Sequence, residues 1–249
     1  MIERAFVYGD LLFETIKVKN GEICFADKHF NRLTQGTKLL HLDTASLNYA
    51  VFKQQIIKKL EGKKNARIRF VLYRDSDGFY TPISNDIKWD IELFELPEEN
   101  KICERLGIFT DYKKTCNKIS NIKSGNALIY VLAGLYAKQN QLDDCLILNE
   151  YGRIAEAISS NIFIVKGGTL YTPILLEGCV EGVMKQVIIE KAKLHGISVE
   201  EIALTQNQIL DADEVFLTNA INGIVPVHNF QSKTFATTFI SKLKLILDL

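Results

Sequence analysis

The sequence predicts an α+β to α/β chain in two domains, and three observations lead there. The chain has 249 residues, 47% hydrophobic and 24% charged, enough for one large core or two smaller ones. Helical-period apolar stripes and short β-rich runs share its length. A mostly polar, aperiodic stretch, residues 111–121, then divides it and sets expected domains at 1–112 and 113–249.

In the first half, Asp27 is the expected N-cap of a helix carrying Phe30, Leu33, Thr37 and Leu40 on one face. A second helix follows from about Leu47, with Val51, Ile56 and Leu60 as its apolar side. The runs Ala66–Tyr73, Trp89–Leu96 and Leu106–Tyr112 are β-rich, bounded by polar turns, and predict strands. Beyond the divide, Leu128, Val131, Leu132, Leu135 and Tyr136 form a helical stripe. Strands are predicted at Cys145–Asn149, Ile158–Val165 and Thr169–Thr172, with Gly167-Gly168 as a tight hairpin turn. Gly182 opens another helix, with Val183, Val187 and Ile188 inward. Strands at Val199–Leu204, Val215–Thr218 and Ile224–Val227 precede a last helix carrying Phe235, Phe239, Leu243 and Ile246.

Charge narrows the function. Lysine plus arginine number 30 and aspartate plus glutamate 30, so the basic excess that nucleic acid or an anionic membrane needs is missing. A small-molecule partner is expected instead. Cys24, Cys103, Cys116, Cys145 and Cys179 are scattered, as are His29, His41, His195 and His228. Neither a disulfide framework nor a metal site is predicted, and free thiols suit a cytoplasmic protein. The N-terminus lacks the apolar core of a signal peptide, and no apolar run is long enough for a membrane span.

Four places could carry chemistry. Lys123, in Ser120-Asn121-Ile122-Lys123-Ser124-Gly125-Asn126, precedes an amphipathic helix. Glu156 leads into an Ile/Phe-rich strand, where a carboxylate is costly to bury without a positive partner. In Glu181-Gly182-Val183-Met184-Lys185-Gln186 a glycine turn feeds a helix, whose free N–H groups and dipole favour a phosphate. Thr218-Asn219-Ala220-Ile221-Asn222-Gly223 is a polar loop after a buried strand. Each alone is better read as a solvated surface feature.

Taken in order, these segments resemble the class IV aminotransferase family, the fold-type IV pyridoxal-phosphate enzymes. The resemblance starts at Tyr8-Gly9-Asp10-Leu11-Leu12-Phe13-Glu14-Thr15 and continues through His29-Phe30-Asn31-Arg32-Leu33 and Ala66-Arg67-Ile68-Arg69. It runs on through Lys123, Glu156 with Ser160-Asn161-Ile162-Phe163, Leu170-Tyr171-Thr172-Pro173 and Gly182. It ends at Asp213-Glu214-Val215-Phe216-Leu217-Thr218 and Val225-Pro226-Val227. Several ordered blocks are specific where one would not be.

The resemblance implies a two-domain fold like that of D-amino acid aminotransferases, with pyridoxal 5'-phosphate between the domains, and a homodimer. It implies that Lys123 carries the cofactor and shuttles protons. Glu156 would keep the ring nitrogen protonated, and Arg32 would grip the phosphate as a fork. Val183 and Met184 would add backbone N–H groups, and the Asn219-Ala220 turn would complete the cradle. Tyr8, Arg74, Tyr80 and Asn222 are the expected substrate-facing residues. Leu11 stands where the family often has glycine and Lys185 where it often has arginine.

Gly182-Val183-Met184-Lys185-Gln186 and Thr218-Asn219-Ala220 are more similar to the 4-amino-4-deoxychorismate lyase branch, because family aminotransferases usually carry threonine at the Ala220 position. This implies a lyase giving 4-aminobenzoate and pyruvate, in folate biosynthesis. The alternatives are a branched-chain or D-amino acid aminotransferase and a non-catalytic cofactor-binding relative.

Overall fold

A computed structural model describes residues 4–97 and 101–247. The chain forms two compact units. One comprises residues 1–97 and 122–127, the other residues 98–121 and 128–249.

The first unit opens with a short helix α1 (Arg4–Tyr8), then β1 (Leu11–Lys19) and β2 (Glu22–Ile23). Helices α2 (Ala26–Leu39) and α3 (Tyr49–Leu60) precede β3 (Ala66–Arg74) and β4 (Ile87–Phe94). The sheet order is β2-β1-β3-β4, antiparallel throughout. Alternation decides which face is buried: Leu12, Glu14, Ile16 and Val18 of β1 point inward, as do Ala66, Ile68, Phe70 and Leu72 of β3. Leu33 of α2 and Phe52, Ile56 and Leu60 of α3 cover that face in one core. Each such side chain contributes roughly 1.5–3 kcal/mol by leaving water.

The expected helix cap moves by two residues. The N-cap of α2 is Phe25, left-handed at φ 52, and Asp27 lies in the first turn, where its charge still favours the helix dipole. α3 is capped by Asn48, whose side chain accepts from the Val51 amide at 3.0 Å.

The second unit starts with β5 (Cys103–Lys114), the one-turn α4 (Lys118–Asn121) and α5 (Leu128–Gln139). Then come β6 (Asp144–Asn149), β7 (Ile154–Ala157), β8 (Asn161–Lys166), β9 (Thr169–Pro173), α6 (Val183–Leu194) and β10 (Val199–Ile202). It closes with α7 (Gln206–Asp211), β11 (Glu214–Asn219), β12 (Gly223–Phe230), β13 (Lys233–Thr234) and α8 (Thr238–Leu247). Its mixed sheet runs β10-β9-β8-β11-β12-β5-β6-β7, with β13 beside β12. The central strands β8 and β11 are buried on both faces and read as continuous apolar runs. Phe163 and Phe216 stack across them at 5.0 Å.

Several sequence expectations change here. The divide at 112/113 falls inside β5, whose solvent-facing residues give it the polar look of a linker. Lys123 groups with the first unit rather than with 113–249. The strand expected over Ile158–Val165 is β8, which begins at Asn161, with three residues between it and the end of β7. In α5 the buried residues are Ala133 and Ala137, while Leu128, Val131 and Leu135 are exposed. The small alanines pack over Phe109, Cys145 and Ile147, with Leu132 and Tyr136 of the expected stripe beside them. Gly167 and Gly168 turn the β8–β9 hairpin with φ of 55 and 79, as the primed turn requires. Among the described residues no helix is long and apolar enough to cross a membrane.

Candidate active site

In the first unit the segment 122–127 docks on the start of β1. The Phe13 amide donates to the Lys123 carbonyl at 2.9 Å, and the Gly125 amide to the Leu11 carbonyl at 3.0 Å. Lys123 is thereby fixed at its backbone, with its Nζ 4.5 Å from the Phe13 ring centre. Leu11, the residue that replaces a common glycine, lies against Gly125: a Cβ there would be 2.8 Å from Leu11 Cγ.

Arg32 is buried in α2. Its Nε donates to Glu14 Oε1 at 2.8 Å and its Nη2 to Glu14 Oε2. His29 Nδ1 meets the same carboxylate at 2.6 Å. The Nε–Nη2 edge of the guanidinium is thus committed to Glu14. Sequence reading gave Glu14 and His29 no role, although the β1 alternation puts Glu14 on the buried face, where it must be paired. Burial alone would raise its carboxyl, but the Arg32 guanidinium and the hydrogen bonds from His29 and Arg32 outweigh burial and hold it at about 2.

A carboxyl lowered on folding stabilises the folded state above its ordinary value, and that stabilisation disappears as pH falls through the folded value. For Glu14 the window runs from 4.5 down to about 2. Glu14→Gln is expected to flatten the pH dependence of urea unfolding within it. At neutral pH the variant should lose roughly 3–5 kcal/mol, because Arg32 stays buried without its anion. Wild-type stability in the variant would show that Glu14 is not the anchor.

Arg74, one of the expected substrate-facing residues, is buried at the end of β3. Its fork is committed to Asp10 (Nε to Oδ2, 2.9 Å), to Asn85 and to the Leu40 carbonyl at 2.7 Å, so it braces the end of β3. Tyr8 and Tyr80 do come together, with ring centres 5.3 Å apart, and the Arg4 guanidinium lies 5.1 Å from the Tyr8 ring centre.

In the second unit Glu156 is buried in β7 at 4% exposure. Its Oε1 accepts from Lys114 Nζ and, at 2.7 Å, from the Tyr130 hydroxyl. Its Oε2 accepts the Val180 amide at 3.0 Å. With two lone pairs per oxygen, Oε2 keeps one acceptor position beyond these bonds among the described residues. Such a carboxylate suits one further N–H, especially a cationic one. Lys114 and Tyr130 escaped the sequence reading because both reach Glu156 from other elements.

Helix α6 begins at Gly182, where a side chain cannot be tolerated: its Cβ would be 1.8 Å from Asn161 Oδ1. Asn161 Nδ2 donates to the Val180 carbonyl at 3.0 Å, fixing the turn. Val183 and Met184 are buried in the first turn of α6, where helical N–H groups favour an anion. At the end of β11, Asn219 Oδ1 accepts the amides of Ile221 and Asn222 at 3.0 and 2.9 Å, while its Nδ2 donates to Ser160 Oγ at 3.0 Å. The loop is thus held by its own asparagine, and the Asn222 amide is committed inside it. The Lys185 ammonium donates to the Pro173 carbonyl at 2.6 Å and pairs with Glu201 at 2.8 Å, a structural use of the residue that replaces arginine.

Known proteins share this chain's pattern. It is 28% identical over 251 residues to an aminodeoxychorismate lyase of Bacillus subtilis, covering 94% of this chain and 82% of that one. It is also 28% identical over 243 residues to a "Putative branched-chain-amino-acid aminotransferase" of Methanocaldococcus jannaschii, covering 94% and 83%. Among solved structures it superimposes on a "Putative 4-amino-4-deoxychorismate lyase" of Legionella pneumophila with a TM-score of 0.92, at 26% identity, covering 100% of this chain and 94% of that one. An aminotransferase of Brucella abortus bound to pyridoxal phosphate gives a TM-score of 0.88 at 21% identity, covering 100% and 92%. Residues 11–230 match the model of the amino-transferase class IV family, and the chain belongs to that family, with its fold-type IV architecture and its pyridoxal-phosphate-dependent chemistry.

Proposed function

We propose that the protein is a 4-amino-4-deoxychorismate lyase, forming 4-aminobenzoate and pyruvate in folate biosynthesis, with Lys123 as its catalytic base and acid. The carrying observation is the loop after β11. Asn219 holds it closed through its own Oδ1, and Ala220 supplies a methyl group where family aminotransferases usually place a hydroxyl. Similarity to the Bacillus and Legionella lyases supports the same reading.

The donor set fits the cofactor. Glu156 Oε2 has an acceptor position for a ring N–H, and the α6 N-terminus, with Val183 and Met184, suits a phosphate, as do Arg32 and the Asn219-Ala220 turn. When bound, pyridoxal phosphate supplies a carbonyl for the substrate's amine and a ring that accepts the electron pair released at the neighbouring carbon. Lys123 would take the proton from that carbon, and Glu156 would hold the proton on the ring nitrogen. Loss of the enolpyruvyl ether then leaves an aromatic ring, so no second substrate is needed. Tyr8 and Tyr80 offer an aromatic surface for it. The family reading also implies a cytoplasmic homodimer, and the exposed Leu128, Val131 and Leu135 provide an apolar face for the contact.

The test is a spectrum followed by a product assay. Aminodeoxychorismate is expected to yield 4-aminobenzoate and pyruvate with the visible band of the holoenzyme intact. A panel of L- and D-amino acids should leave that band unbleached without a 2-oxo acid. Bleaching by a branched-chain or D-amino acid, with no 4-aminobenzoate formed, would establish the aminotransferase alternative. Sedimentation of the same preparation should give twice the chain mass of 28.2 kDa.

A further inference from the structure

Lys114 ends β5 and is nearly buried, at 8% exposure. A buried lysine is tolerated when its charge and its hydrogen bonds are met. Here the ammonium pairs with Glu156 Oε1, donates to the Ser120 carbonyl at 3.0 Å and lies 5.2 Å from the Tyr130 ring centre. The Tyr130 hydroxyl donates to the same Oε1. Burial and the adjacent carboxylate push the Tyr130 phenol up, so it remains a donor across the working range. Two donors on one oxygen and the Val180 amide on the other remove the carboxylate's freedom to rotate. The Ser120 bond adds a tether. Ser120 is three residues before Lys123, and Asn121 is clamped to the Leu175 and Cys179 carbonyls at 2.8 and 2.7 Å.

We propose that Lys114 and Tyr130 are positioning residues that lock Glu156 Oε1, so that Oε2 alone is presented to the cofactor's ring nitrogen. Lys114 also ties that carboxylate to the Ser120 carbonyl. The proposal rests on the reading of Glu156 as the ring-nitrogen partner, and no step of proton transfer is assigned to Lys114 itself.

A double-mutant cycle tests it on cofactor affinity and on the visible band of the reconstituted enzyme. Lys114→Met is expected to weaken pyridoxal-phosphate binding about tenfold and to move the band toward that of Glu156→Gln. In the E156Q background the same substitution should change affinity less than about twofold. Lys114→Arg, which keeps charge and donors, should recover most of the loss. An equal effect in both backgrounds, or none in either, overturns the positioning role. If E156Q itself changes neither affinity nor band, the Glu156 reading has failed. If E156Q acts and K114M is silent, only the role of Lys114 has failed. Should K114M not fold, Tyr130→Phe takes its place in the cycle: coupling to E156Q supports the proposal, and additivity refutes it.

Discussion

Replacing Lys123 by alanine is expected to abolish both the yellow colour of the holoenzyme and its turnover. A positioned acid–base alone is worth about 10²–10⁴ in rate, and here the same amine also carries the cofactor, so the loss should reach at least a thousandfold, on the order of the upper half of that range. The fold should survive, because the segment is held through its backbone: Phe13 and Leu11 of β1 bond to the main chain at Lys123 and Gly125. Lys123→Ala removes only the side chain beside the Phe13 ring. Borohydride reduction of the unsubstituted enzyme, followed by peptide mapping, should place the adduct on the peptide bearing Lys123. Lys118 and Lys114 are the informative competitors, since Lys114 already lies against Glu156. An adduct on either would reassign the catalytic lysine.

The parts of this molecule that were legible in sequence are those governed by local rules. β-rich runs between turn residues located β3, β4 and β9 to within a few residues, the Gly167-Gly168 pair marked its hairpin, and Gly182 marked the start of α6. Ordered motif blocks identified the family. What stayed hidden was decided by distant partners. Glu14 was only a member of a motif block, and its partners Arg32 and His29 reach it from α2. Nothing local announces Asp10, Asn85 and the Leu40 carbonyl as the partners of Arg74. The unit boundary was missed for a related reason: β5 carries a solvated face, and the return of residues 122–127 to the first unit is a matter of pairing with β1. Lys114 fell inside that supposed linker, which concealed the ammonium that braces Glu156.

Glu156→Gln is expected to lower kcat by about 10²–10⁴, the range for loss of a well-placed proton-holding group, while the cofactor still binds. The reason lies in how the neighbours would orient the amide. Lys114 and Tyr130 are both donors and both meet Oε1, so the amide oxygen stays there and the NH₂ takes the place of Oε2. That NH₂ then faces the Val180 amide, donor against donor, and can only donate to a ring nitrogen. A nitrogen that accepts is unprotonated and no longer draws electrons from the reacting carbon. The phosphate contacts are untouched, which is why affinity should fall far less than rate. Lys114 also loses its counter-ion, a change that costs roughly 3–5 kcal/mol in stability when a buried pair is broken. Thermal unfolding of the holoenzyme should therefore be measured alongside kcat and cofactor affinity, to separate a damaged fold from a disabled site. A folded E156Q enzyme turning over at the native rate would remove Glu156 from the chemistry, and with it the reason for burying a carboxylate beneath two donors.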